Sequence, residues 1–348
     1  MFRPALDREE KYQNWHRSNT QNQFAGDRTT RSLVQGASYQ SEGIPTYTDI
    51  LIGLPGESFE SFVDCLDAVI TQGQHQELRI WNTYILPNAE IARPEYRQKY
   101  QIESVTVPSI ELYLPVREPV SGIQESIDLV VASQTMSRAD WVRTRSLAWL
   151  TQLIYYGKLL QIPLLLVHAL AGVRHRDILL AFLEGELPSN SHVIRNLRQF
   201  FTQLAHEMLA GQPELVPGKD LITGTDIWLP AQTFVQQELL FSPRLDVFYA
   251  EVYFLLKTLI AQQKKSLPMG LLEQALLLSQ AVFKSQLPQH RLFECHQDYN
   301  IWGAYQQCLK SETPILETGS WLARSYVNEQ NQLVFEEARR PSLIGLKF

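Results

Sequence analysis

Residues 43–58, GIPTYTDILIGLPGES, constrain this chain more than any other stretch. Residues 46–53 read as a strand, and the apolar run Ile50-Leu51-Ile52 predicts burial on both of its faces. Gly53-Leu54-Pro55-Gly56 breaks the strand. Ser58 is a good helix N-cap, and Glu57 and Glu60 put negative charge at the positive end of the helix dipole. Phe59, Phe62, Val63, Leu66, Val69 and Ile70 then recur at helical spacing, and Gly73 ends the helix. A second strand is expected over residues 78–86, ending at Pro87. Together they make one βαβ unit, which belongs in a parallel sheet or barrel.

The rest of the chain changes character twice. Residues 1–40 are rich in Gln, Asn, Arg and Thr and show no sustained period. Such a segment fits poor order, and it also fits a shifted reading frame joined to intact coding sequence near residues 38–43. Residues 111–116 predict a short strand within an otherwise less regular stretch, 109–136. From Ser137, with Asp140 at the capping-box position, the pattern turns helical. Trp141, Val142, Trp149, Leu150, Leu153 and Ile154 build an apolar face. Further helices are expected at 174–184, 191–210, 230–263 (broken near Pro243) and 269–285, and residues 322–327 and 332–336 predict a hairpin.

With 348 residues, 45% of them hydrophobic and 20% charged, the chain has room for two ordinary domains. A net charge of −6 favours neither nucleic acid nor an anionic membrane, so no nucleic-acid partner is expected. Three unpatterned cysteines fit a reducing cytoplasm, which is the expected compartment. The greasiest stretch, LLQIPLLLVHALA at 159–171, is shorter than the ~20 residues a membrane helix needs. It predicts a buried core helix or helix pair and no transmembrane segment.

GIPTYTDILIGLPGES, followed by YILPNAEIARPEYRQKY at 84–100, resembles the late barrel strands of radical S-adenosylmethionine (SAM) enzymes. The cobalamin-binding group, which includes radical methyltransferases, is the nearest likeness. DWVRTRSLAWLTQLIYYGKLLQ at 140–161 is similar to that group's C-terminal helical region. The resemblance implies an α/β fold: an incomplete radical SAM-type (βα) barrel remnant at 41–136, then a mostly α-helical C-terminal domain at 137–348. It also implies that Ile52 and Gly53 line the adenine site of SAM, and that Leu86, Pro87 and Asn88 close over it. The family's GxIxGxxE pattern is not met strictly, because Gly53 and Glu57 stand four apart.

The family holds a [4Fe–4S] cluster on three cysteines, usually CxxxCxxC. Here the cysteines are Cys65, Cys295 and Cys308, with no such spacing. The resemblance therefore implies that [4Fe–4S] and cobalamin belong to the intact family and are not bound by this chain alone, and that SAM binding is weak. A truncated protein, inactive alone, or one half of a split enzyme is expected. The implied partner is a separate N-terminal radical SAM and cobalamin-binding half. The alternatives are a non-catalytic helical binding protein and a degraded gene product. No catalytic residue and no metal ligand is assigned.

Other candidates are weaker. His290, Cys295 and His296 are the one histidine cluster in the sequence and fit no zinc pattern. His168 reads as a hydrogen-bonded core residue, and Arg174, His175, Arg176 and Asp177 as a solvated helix start. Tyr155 and Tyr156 are candidates for shaping a substrate pocket in the family, though their spacing favours core packing. No GxSxG elbow and no Walker loop occurs.

Overall fold

A computed structural model describes residues 47–117, 122, 124–287, 290–328 and 332–339. The expectation for 1–40 lies outside the described residues. The βαβ unit forms as read: β1 (Tyr47–Ile52), α1 (Phe59–Thr71) and β2 (Glu77–Asn82). Ser58 caps α1 in a reciprocal box with Ser61. β1 and β2 pair in parallel, with Ile50 opposite Ile80 and Leu51 opposite Trp81.

The sheet continues in a direction the sequence reading did not anticipate. After Thr83 comes β3 (Tyr84–Ile85), which pairs antiparallel with β5 (Ser126–Ala132). β5 also pairs antiparallel with β4 (Glu103–Pro108). Thr83 joins the two sheets: its N–H donates to the Ile52 carbonyl and its carbonyl accepts from Val130. The short helix α2 (Pro94–Tyr100) connects β3 to β4. The result is mixed α/β with small sheets, and among the described residues the strands close no barrel.

One face of the β1–β2 pair is sealed. Ile50, Ile52, Leu78 and Ile80 point to the core shared with α1 and α3 (Arg138–Thr151). The other face is open. Leu51 is 44% exposed and Trp81 45%, so the strand is not buried on both faces as the apolar run predicts. The run alone does not say which side the helices take. Leu51 and Trp81 face away from α1, and no described element covers them.

The helical expectations hold closely. Ser137 caps α3, accepting from the Asp140 N–H. A π-helical turn (Gln152–Tyr156) follows, then α4 (Gln161–Ala171), α5 (His175–Glu184) and α6 (His192–Leu209). The predicted break near Pro243 separates α7 (Ala231–Leu240) from α8 (Arg244–Gln262), and α9 (Leu271–Lys284) comes next. Trp141, Trp149 and Tyr155 are wholly buried, so their helical spacing marks core. No single described helix is long and apolar enough to cross a membrane; only α3 with its π turn, bent 92° from α4, passes that test as a pair.

Besides α2, β4 and β5, several later elements went unread. The hairpin β6 (Val216–Lys219) and β7 (Asp226–Leu229) adds backbone bonds to Tyr113, Leu114 and Val116, but the short strand expected at 111–116 does not form: the segment is a turn with a single bridge, Pro115 to Ile227. Near the end, β9 (Thr318–Val327) and β10 (Leu333–Arg339) form the expected hairpin. β8 (Glu294–Tyr299) adds a third strand to it, and α10 (Ile301–Leu309) packs on α4.

Candidate functional site

The GLPGE turn is built from two positive-φ glycines, Gly53 at +90° and Gly56 at +92°. These angles exclude side chains at low cost and so explain both glycines. The Glu57 carboxylate folds back to accept the Gly53 N–H at 2.9 Å. Burial pushes that carboxyl up to about 7, against the hydrogen bond that pulls it down. Thr135 fastens the turn to the loop before α3: its hydroxyl donates to the Glu57 carbonyl at 2.7 Å and accepts the Gly56 N–H at 3.1 Å.

The five residues implied by the resemblance divide into two groups. Ile52 and Gly53 are buried, and a Cβ added at Gly53 would stand 3.5 Å from Val130 and 3.9 Å from Trp141. Leu86, Pro87 and Asn88 are exposed on the turn after β3. No large cavity among the described residues joins the two groups.

A sizeable cavity lies elsewhere, along the second edge of β2. It is a cleft of about 650 Å³ whose walls include Trp81, Tyr84, Tyr113 and Tyr156. Here β2 has no strand neighbour, and side chains satisfy its edge instead. Arg145 donates to the Ile80 carbonyl at 3.3 Å, and Gln152 to the Leu78 carbonyl at 3.4 Å. Arg145 is only 3% exposed, forms an ion pair with Glu214, and lies 4.3 Å over the Trp149 ring. Glu214 also accepts from Asn82 at 2.6 Å and from the Tyr84 hydroxyl at 3.2 Å. Burial and the Glu214 charge push the Tyr84 phenol up to about 12. Chemically, this is a carboxylate locked in one orientation beneath an aromatic-lined cleft of ligand size.

Sequence reasoning did not find this network. Glu214 follows Pro213 in a loop and carries no local signal. Arg145, set among the buried residues of α3, was the clue available. Tyr156 lines the cleft and donates to the Gln74 carbonyl at 3.1 Å, whereas Tyr155 is wholly buried against His75. Cys295 and His296 lie on β8, and Cys65, Cys295 and Cys308 sit on α1, β8 and α10. No group of three His, Cys, Asp or Glu among the described residues is placed to hold a metal ion, so the residues present do not fit the family's cluster.

Comparison with known proteins agrees with the resemblance over part of the chain. Over 119 residues it is 34% identical to the 2-(S-pantetheinyl)-carbapenam-3-carboxylate methyltransferase of Streptantibioticus cattleyicolor. Over the same length it is 32% identical to the cobalamin-dependent radical SAM methyltransferase TokK of Streptomyces tokunonensis. Each match covers 34% of this chain and 17% of the relative, so the chain spans about a sixth of the curated relatives it matches. No protein-family model matches. The relationship to cobalamin-dependent radical SAM methyltransferases is therefore a partial one, over a third of the chain.

Proposed function

We propose that β1, α1 and β2 are closing elements of a radical SAM-type barrel of the cobalamin-dependent group, a remnant that works only with the remainder of such a barrel. One observation carries this reading. The β1–β2 pair is parallel and helix-covered on one face, yet among the described residues its other face and the outer edge of β1 are uncovered. An open edge of paired strands is a template for another strand. In this reading the remainder, carrying the cluster and the cobalamin-binding part, comes from residues outside this chain. The backbone of Ile52 and Gly53, at the end of β1, then lies beneath the nucleoside of SAM while the Ile52 side chain stays in the helix-side core, and Leu86, Pro87 and Asn88 form the rim. When bound, that cofactor pair supplies radical formation and a methyl group. This chain supplies the walls and is catalytically silent alone.

The test is to mix the purified chain with a cluster-loaded radical SAM and cobalamin-binding polypeptide encoded beside it. The expected result is a stable complex that cleaves SAM reductively, with neither property in the chain alone. Leu51→Asp should abolish the complex and leave the helical signal intact. SAM cleavage by the isolated chain after iron loading, or no association at all, would overturn the reading.

A second reading, a non-catalytic helical binding protein, is favoured by a groove of about 400 Å³ lined by residues of α8 and α9, including Tyr253, Phe254 and Leu277. It predicts partner capture without dependence on Leu51.

A further inference from the structure

Three histidines far apart in the chain meet behind the sheet. His75 follows α1, His168 lies in the last turn of α4, and His175 is the first residue of α5. They line a second pocket, of about 240 Å³, with Cys308 and the segment 311–314 completing its wall. His175 is therefore no solvated helix start: it is 2% exposed.

Their hydrogen bonds are unequal. His75 shares a bond of 2.8 Å with the Tyr155 hydroxyl. His168 Nδ1 lies 2.9 Å from the Val173 carbonyl. A carbonyl only accepts, so Nδ1 carries the proton and Nε2 is left as a lone pair. Neither ring nitrogen of His175 has a hydrogen-bond partner among the described residues. Its ring stacks on His168, with centroids 4.0 Å apart and planes tilted by 23°. The His175 nitrogens are not among the sealed, unpartnered polar atoms of the core, so they open on the pocket, where a ligand can reach them.

The helix start adds an independent feature. α5 has ten residues and no side-chain cap. Its Arg176 N–H is taken by Asp67 at 2.9 Å and its Asp177 N–H by the Arg174 carbonyl at 3.1 Å. The N–H of His175 itself is not taken. The positive end of the helix dipole thus lies beside the two open imidazoles.

We infer that this pocket binds a small oxyanion, a carboxylate or a phosphate, and that binding takes up a proton from solvent onto the His168–His175 pair. The two rings stack with centroids 4.0 Å apart on the wall of one small pocket, close enough for a single anion to reach both. A transition-metal ion instead needs lone pairs converging at about 2.0–2.1 Å, and no three-ligand set is present among the described residues. The proton follows from the bonding. The single N–H of neutral His168 is spent on Val173, so His168 donates to an anion only after gaining a proton at Nε2. Burial, with repulsion from the neighbouring histidines, holds His175 well below its ordinary range, and burial with the Lys158 charge pushes His75 down to about 4. An anion reverses that penalty.

The surrounding charges are mixed. The Lys158 ammonium is tied to the His75 carbonyl at 2.6 Å and to Gln161 at 2.8 Å. Arg174 pairs with Asp177 at 2.9 Å. Burial holds the Cys308 thiol protonated, at about 11. Glu312, on the exposed rim, opposes an anion through solvent. Nothing in the pocket depends on a completed barrel.

The experiment is calorimetric titration of the full chain with sodium phosphate and, separately, sodium acetate, in two buffers of different ionisation enthalpy. Saturable binding of either anion is expected, with a buffer-dependent heat showing uptake of up to one proton. Affinity should rise about tenfold per pH unit on acidification from about pH 7.5 to 6.5. The anion that saturates identifies the source. His175→Gln should weaken binding at least about tenfold, and His168→Asn, at a half-buried site, should remove the pH slope in a chain that stays folded. No saturable heat up to about 20 mM of either anion, a heat independent of buffer, or unchanged affinity in both variants would overturn the proposal. So would zinc binding at micromolar concentration through the same histidines.

Discussion

The β1–β2 pair and the α3–α4 region carry similar apolar residues and treat them in opposite ways. Trp149 in α3 is wholly buried, stacks on Phe201 at 5.7 Å and lies under Arg145. Trp81 in β2 is nearly half exposed and spends its indole N–H on Asp49 at 2.8 Å. Both tryptophans sit on regular elements, so local structure does not separate them. The difference is the number of layers. α3 is enclosed by α1, α5, α6 and β5, whereas the β1–β2 pair has a partner layer on one side only. One region is a finished core and the other a half-finished one.

That contrast is broken most forcefully at Trp149. Trp149→Ala should cost about 4 kcal/mol, because it removes a large side chain from a closed core and strips Arg145 of its ring. Urea unfolding followed by circular dichroism measures it, and a loss under about 1 kcal/mol would mean that this core is not closed.

Acid should attack the same region next. His75 is neutral in the fold and takes its proton at about 4, whereas an unfolded histidine takes it at its ordinary value, near 6.5. Between these values the unfolded chain binds more protons, so stability falls as pH drops from about 6.5 to 4, by a loss of order 3 kcal/mol. Unfolding midpoints across that range check it, and His75→Gln should flatten the slope.

Glu214→Ala should cost about 2 kcal/mol, less than a fully buried pair would, since Glu214 is about a quarter exposed. It leaves the buried Arg145 without its counter-charge. Glu214→Gln should recover part of that loss by still accepting from Asn82 and Tyr84. Trp81→Thr marks the other end of the scale: under about 0.5 kcal/mol in stability, with a measurable fall in affinity for a barrel-completing partner by sedimentation.

How much of this was legible in the sequence follows from the range of each interaction. The caps at Ser58 and Ser137, the break near Pro243 and the hairpin of β9 and β10 depend on neighbours a few residues away, and they were readable. β5 was not, although SIDLVVA is rich in β-branched residues, because its role is set by antiparallel partners 18 or more residues off. The meeting of His75, His168 and His175 had no signal at all: their spacing matches no period, and only the packing of α4 and α5 brings them together. Burial of Ile52 was expected from its apolar run, but the same run misled on Leu51, since a run does not say how many layers cover it. Glu214 became visible only once its three donors were in place.

Hydrogen exchange on the full chain, as a soluble monomer, tests the contrast most directly. The account predicts that amides of Tyr47–Ile52 exchange at least about 100-fold faster than those at 141–153, and that adding a barrel-completing partner slows the strand alone. Equal protection of the two regions in the monomer would contradict it, because the edge of β1 would then already be sealed.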